Sequence, residues 1–235
     1  MFKKENLKTR IPLVIYIFLF LFAPPIIKNI NLLLILFIFS FITIIIKYRK
    51  EIKDIINIKQ LKILIFLVAV YFIYYFAIIG VNFIFTKQLY VYNYIINIYS
   101  ILLVIPIVMI CSLHIILYSK RYKITFNEII KYIIIAGMIQ ASFTLLTLLI
   151  PELKSFLINL MYQNTGEKLY LNKYHIERRM FGFANNLLDS FGFGTGIIAV
   201  IPLFYSINNS KKWLITVPFL LLVPLLNSRT GLIVF

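Results

Sequence analysis

Long apolar runs separated by short, mostly basic connections dominate this chain, and polar positions inside the runs are sparse. The runs cover about 11–27, 30–46, 61–80, 96–118, 129–150, 187–206 and 213–226, and residues 230–235 read as the opening of an eighth. Most of them approach or exceed the ~18–20 apolar residues that a helix needs to cross the hydrocarbon of a bilayer. Lipid offers the backbone no hydrogen-bond partners, so such runs satisfy their own N–H and C=O groups as helices. The pattern predicts an all-α polytopic transmembrane bundle of about seven complete spans, forming a single integral-membrane domain over 1–235. Pro24–Pro25 and Pro224 fall near predicted span ends, and Pro106 falls inside the fourth. A proline in mid-span kinks a membrane helix where neighbours satisfy the freed carbonyl.

Composition agrees: 62% of residues are hydrophobic, 14% are charged, and mean hydropathy is +0.95. A soluble domain is roughly half apolar and a quarter charged, so that class is excluded. The formal charge of +16 would suggest nucleic acid in a soluble protein, but its placement says otherwise. The odd-numbered connections hold Lys3, Lys4, Lys8 and Arg10; Lys47, Arg49, Lys50, Lys53, Lys59 and Lys62; Lys120, Arg121, Lys123 and Lys131; and Lys211 and Lys212. The even ones hold half as many: Lys28, Lys87, Lys154, Lys168, Lys173, Arg178, Arg179 and Arg229. Lys and Arg collect in cytoplasmic loops, so the N-terminus is expected in the cytoplasm and no nucleic-acid partner is needed. The first 25 residues resemble a secretion signal, but "APPIIKNI" offers no A-x-A-like cleavage site, which favours a retained span. Cys111 is the single cysteine, so neither a disulfide nor a cysteine metal site forms within the chain. No cofactor or metal is expected.

Two stretches carry the candidate chemistry, both on the predicted outer side: "ERRMFGFANNLLDSFGFGTG" (177–196) and "NSRTG" (227–231). Each sets an arginine at the bilayer boundary beside small or amide-bearing residues. A guanidinium holds phosphate oxygens through a fixed fork of donors and stays charged. Near hydrocarbon it needs an anion, and a lipid-linked pyrophosphate fits. Arginines at span ends also snorkel to headgroups or set topology, the stronger reading for Arg178. Arg229 stands apart because it lies between two apolar runs on the side where positive charge is disfavoured. The long connection 151–179 opens with "PELKSFLINLMYQ", whose alternation suits an interfacial helix. Within it His175 reads as a solvated loop residue or an assisting base. His114 reads as a buried hydrogen-bonding residue, and Asp189, entering the sixth span, as an acid paired with an arginine of the site. The tyrosines of 71–75 and 90–94 read as interface anchors.

Arg179-Met-Phe-Gly182 leading into Asn185-Asn186, and Ser228-Arg229-Thr230-Gly231 about 50 residues later, resemble the bacterial O-antigen ligase and O-antigen polymerase superfamily. The resemblance covers roughly 120–235, and "ANNLLD" stands where the family more often has Asn-Pro-Asn. It implies a glycosyltransferase at the outer face of the plasma membrane that moves a glycan from a polyprenyl-pyrophosphate carrier to a sugar acceptor. No nucleotide sugar takes part, and no phosphate-cradling glycine loop is present. Arg179 and Arg229 would hold the pyrophosphate, with Arg178, Ser228, Asn185, Asn186 and Asp189 in support. In the family a further span and a large external loop, with a catalytic histidine in the ligases, normally follow, so the chain reads as truncated and the catalytic base stays unassigned. The glycan, the linkage and any protein partner are not encoded legibly. A transporter or flippase of lipid-linked oligosaccharide is the competing class. Transporters favour ionisable groups near the midplane and paired broken helices, whereas the charges here lie at the boundary. A non-catalytic membrane scaffold is the third reading.

Overall fold

In a computed structural model, the described residues are 4–27, 30–55, 91–160, 182 and 189–227, with isolated positions between 66 and 84. Every described element is helical: α1 (Lys4–Phe22), α2 (Leu32–Lys47), α3 (Arg49–Ile55), α4 (Val91–Arg121), α5 (Phe126–Leu149), α6 (Pro151–Leu160) and α7 (Asp189–Asn208), then a 3-10 turn (Lys211–Ile215) running into α8 (Thr216–Asn227). The fold is all-α as the pattern predicts. Two described helical segments, Leu103–Arg121 and Phe126–Leu149, are long and apolar enough to cross a membrane, and Leu32–Lys47 and Gly194–Ile207 are shorter apolar helices. Of the predicted third span, the described positions 66, 69, 70, 73, 76, 77 and 80 are helical.

Helix ends differ from the apolar runs because capping, not hydropathy, sets them. The first helix stops at Phe22 rather than near 27: Ala23 turns to φ 41, with its N–H on the Leu19 carbonyl at 2.9 Å, and two prolines follow. Proline has no N–H to continue a helix. α4 outruns its predicted end and closes as a Schellman motif. Lys123 takes φ 53, the Ile124 N–H reaches the Ser119 carbonyl at 2.8 Å, and the Lys123 N–H reaches that of Lys120 at 3.3 Å. Thr125 then starts α5 with a capping box. The predicted seventh span is divided between the 3-10 turn and α8.

The chain forms two compact units, Phe37–Leu117 and the remainder. In the first, α2 and α4 meet through a buried polar contact, Ser40 Oγ to His114 Nδ1 at 3.1 Å. Ser40 also lies 3.9 Å from Cys111 Sγ, and the rings of Phe39 and Tyr48 flank His114 at 5.6 and 5.8 Å. His114 is thus the buried hydrogen-bonding residue the sequence suggests. Around this seam α2 exposes large apolar side chains, among them Phe39, Ile42, Ile45 and Ile46.

In the second unit, α5 is the helix on which α1, α7 and α8 pack. Its inward face reads Ala136, Gly137, Gln140, Ala141, Thr144 and Thr147, small and weakly polar groups at helical spacing. Such residues let membrane helices approach closely. Gly137 is the tightest point: a Cβ there would lie 2.7 Å from Ile198 Cγ2 of α7 and 2.9 Å from Leu220 Cδ2 of α8. At its start α5 is tied to α1 by Glu128. One carboxylate oxygen takes Arg10 Nη2 at 2.6 Å and the other takes the Thr125 N–H at 3.0 Å. Tyr118 Oη donates to the Thr9 carbonyl at 2.8 Å beside it.

Gly137→Leu should lower stability by about 1–3 kcal/mol through overpacking, whereas Gly137→Ala should cost less, because alanine regains up to ~1 kcal/mol of helix propensity. Thermal melts in detergent test this, and equal melting temperatures for Gly137→Leu and the unaltered protein would contradict the close approach. Glu128→Gln keeps a capping amide but loses the ion pair, with Arg10 and Glu128 side chains 23% and 25% exposed. It should cost about 0.5–1 kcal/mol. Glu128→Ala, losing the capping box as well, should cost about 1 kcal/mol more, and the two melts side by side separate the roles.

Candidate functional site

The two arginine stretches can be related through the helices that carry them. α5 and α8 run in the same direction. Lys131 Nζ lies 5.8 Å from the Trp213 ring centre, Gly137 abuts Leu220, and Gln140 and Val223 line one small cavity. These partners are 82 or 83 positions apart, and α8 continues four residues past Val223 to its last residue, Asn227. α7 runs the other way. Ile198 meets Gly137, while Tyr205 packs edge-on to Trp213 at 5.5 Å. Counting nine residues back along α7 and nine forward along α5 brings Asp189, which opens α7, level with Leu146.

Gly182 comes to the same level. It is buried with φ +57, and a Cβ on it would sit 2.6 Å from Thr144 Oγ1, 2.7 Å from Gln140 Nε2 and 2.9 Å from the Thr144 backbone nitrogen. The chain therefore lays bare backbone onto the polar row of α5. That point is about 8 Å inside the end of the helix, five residues at 1.5 Å each. Two independent demands, the left-handed backbone and the contact with Thr144, both require glycine here.

Around this dock the buried polar groups form a continuous row. Thr144 Oγ1 donates to the Gln140 carbonyl at 3.0 Å and Thr147 Oγ1 to the Thr144 carbonyl at 2.9 Å. Both hydroxyls thus answer carbonyls of their own helix and keep their lone pairs as acceptors. Thr195 of α7 is also buried and joins Gln140, Phe22, Gly137, Ile198, Leu220 and Val223 around a cavity of about 10 Å³. That volume is close to the room one water needs.

Of the residues singled out in the sequence, His175, Arg178, Arg179, Asn185, Asn186, Ser228 and Arg229 lie outside the described residues. Asp189 is described through its backbone, as the first residue of α7. The remainder of connection 151–179 after α6 also lies outside them. α6 itself is the helix its alternation predicts, with Leu157 buried and Phe156 exposed. Gln140, Thr144, Thr147 and Thr195 were not singled out. For the first three the signal is present in "QASFTLLT": polar groups at i, i+4 and i+7 of an apolar span, where polar side chains turn to the bundle interior. Among the described residues no cluster of three His, Cys, Asp or Glu is placed to hold a metal. No protein-family model, curated protein or solved structure matches this chain.

Gly182→Ala should be the costlier of the two glycine-to-alanine changes, about 2–4 kcal/mol. The left-handed backbone contributes ~1–2 kcal/mol, and overpacking against a main-chain atom that cannot rotate away adds a similar amount. A melting temperature for Gly182→Ala at or above that of Gly137→Ala would show that the dock carries little of the fold's stability.

Proposed function

We propose that the chain is an integral-membrane glycan-transfer protein of the polymerase or ligase type, with the site at the outer end of the bundle. In this reading it takes a glycan from a polyprenyl-pyrophosphate carrier and passes it to a sugar acceptor at the outer face of the plasma membrane. One observation carries the reading. Gly182 docks on Thr144, and α8, whose Val223 shares a small cavity with Gln140, ends four residues later at Asn227. Arg179 precedes Gly182 by three residues and Arg229 follows Asn227 by two, spans of at most about 11 Å and 7 Å of extended chain. Tethers of that length leave the two arginine motifs, about 50 residues apart in sequence, within reach of the same end of the bundle, which supports the reading. This is what a shared pyrophosphate clamp needs.

A bundle of seven or eight spans with a cytoplasmic N-terminus belongs to the same reading. It is supported by the gathering of Lys8, Arg10, Lys120, Arg121, Lys123, Lys131, Lys211 and Lys212 at the end of the unit opposite the dock, through the Arg10–Glu128, Tyr118–Thr9 and Lys131–Trp213 contacts. Chemically, the carrier's pyrophosphate gains charge as the glycosidic carbon passes to the acceptor hydroxyl, and two guanidinium forks stabilise that charge most where it is greatest. The acceptor's proton goes to a base, for which His175 is the candidate in the loop before Arg179.

Binding of a polyprenyl pyrophosphate to the full chain in nanodiscs tests the clamp without requiring turnover. Arg179→Lys and Arg229→Lys keep the charge but lose the fork, and each should weaken binding by at least about tenfold. Arg178→Lys should change it little. Unchanged affinity in both Lys variants would remove the clamp from the reading.

A further inference from the structure

The end of the second unit opposite the dock has properties that glycan transfer does not use. Six basic side chains are exposed there: Lys8, Lys120, Arg121, Lys123, Lys211 and Lys212. Glu128 is the one acid among the described side chains of that end, and both its oxygens are already engaged, by Arg10 and by Thr125. The positive charge is interleaved with exposed apolar groups rather than set on a polar face. Ile215 is 82% exposed and Phe126 is 73% exposed, and Leu7, Ile11 and Leu214 are exposed as well. At the centre Trp213 receives Lys131 over its face and Tyr205 at its edge, an amphipathic aromatic at the boundary between charge and hydrocarbon. Two hydroxyls at this end, Ser119 Oγ and Tyr132 Oη, are buried with no hydrogen-bond partner among the described residues.

We propose that this end is a binding surface for anionic phospholipid headgroups, centred on the Lys211–Lys212–Trp213 turn and the Lys123 turn. The lysines take the phosphate, and Ile215 and Phe126 lie along the upper acyl chain. A soluble acidic protein or a nucleic acid would satisfy the lysines but would leave these apolar groups in water, whereas a lipid satisfies both. Charge near an anionic leaflet is worth most within one Debye length, and these residues stand at the mouth of the apolar helices themselves. The inference rests on the membrane reading of the chain, not on glycan transfer.

Trp213 is the only tryptophan in the sequence and so reports on this site alone. The experiment reconstitutes the full chain in phosphatidylcholine vesicles that carry a fixed minor fraction of brominated phosphatidylglycerol, or the same fraction of brominated phosphatidylcholine. Quenching of Trp213 should be about twofold stronger with the brominated phosphatidylglycerol at low salt, and the excess should fade as salt rises. A Lys123→Gln/Lys211→Gln/Lys212→Gln variant should bring the two lipids to equal quenching while retaining helical circular dichroism. Arg229→Lys should leave the ratio unchanged. Equal quenching by both lipids in the unaltered protein, or an excess indifferent to salt, overturns the proposal. So does a single-stranded oligonucleotide that abolishes the excess at matched charge concentration, which would identify a soluble polyanion as the partner. If the triple variant does not fold, the lipid comparison and the salt series on the unaltered protein still decide the matter.

Discussion

The absence of a side chain at Gly137 is the constraint from which the second unit's geometry follows. With a Cβ excluded by Ile198 on one side and Leu220 on the other, α7 and α8 are drawn against α5 at the same turn. Helices carry the consequences rigidly, at 1.5 Å per residue. Fixing this turn fixes which residue of α8 stands level with Thr144 and where α7 begins. The register at the Gly182 dock is therefore set about two turns away from it, at Gly137. Lys131 against Trp213 repeats the same alignment at the other end, so the pairing rests on more than one contact.

Close approach also explains how a polar interior packs. A face of Gly137, Gln140, Ala141, Thr144 and Thr147 has little apolar bulk to bury, so its packing relies on short interaxial distance rather than on large side chains. Its hydroxyls answer to carbonyls of their own helix, which removes the cost of burying them. The cavity left among α1, α5, α7 and α8 is water-sized. Polarity here serves assembly, and it also leaves a surface against which the bare backbone at Gly182 can lie.

The helical character and rough position of the described apolar runs were legible because long apolar runs allow few folds. Helix ends were less so. Ala23, Lys123 and Thr125 end or start helices through backbone geometry and one-residue hydrogen bonds, which a hydropathy reading does not resolve. Gly182 was read as one letter of an arginine motif, yet its own role is a left-handed contact with Thr144. That contact joins positions 38 residues apart in sequence and leaves no local signature. Register was invisible for the same reason: nothing within "IIAGMIQ" tells which residues of "TVPFLLLVPLL" it will meet. The arginines themselves were chosen from residue type and placement, and their partners are a matter for the binding experiment.

The shared direction of α1, α5 and α8 has an electrostatic consequence. All three start at the lysine-rich end and finish toward Gly182, while α7 starts there and α6 begins close by. Each helix end is equivalent to roughly half an elementary charge, negative where carbonyls are left over and positive where amides are. Among the described residues, the carbonyl ends of α1, α5 and α8 give that end partial negative charge, which the amide starts of α6 and α7 offset in part. A cation arriving at that end is met in part by the main chain itself, before any acidic side chain takes part.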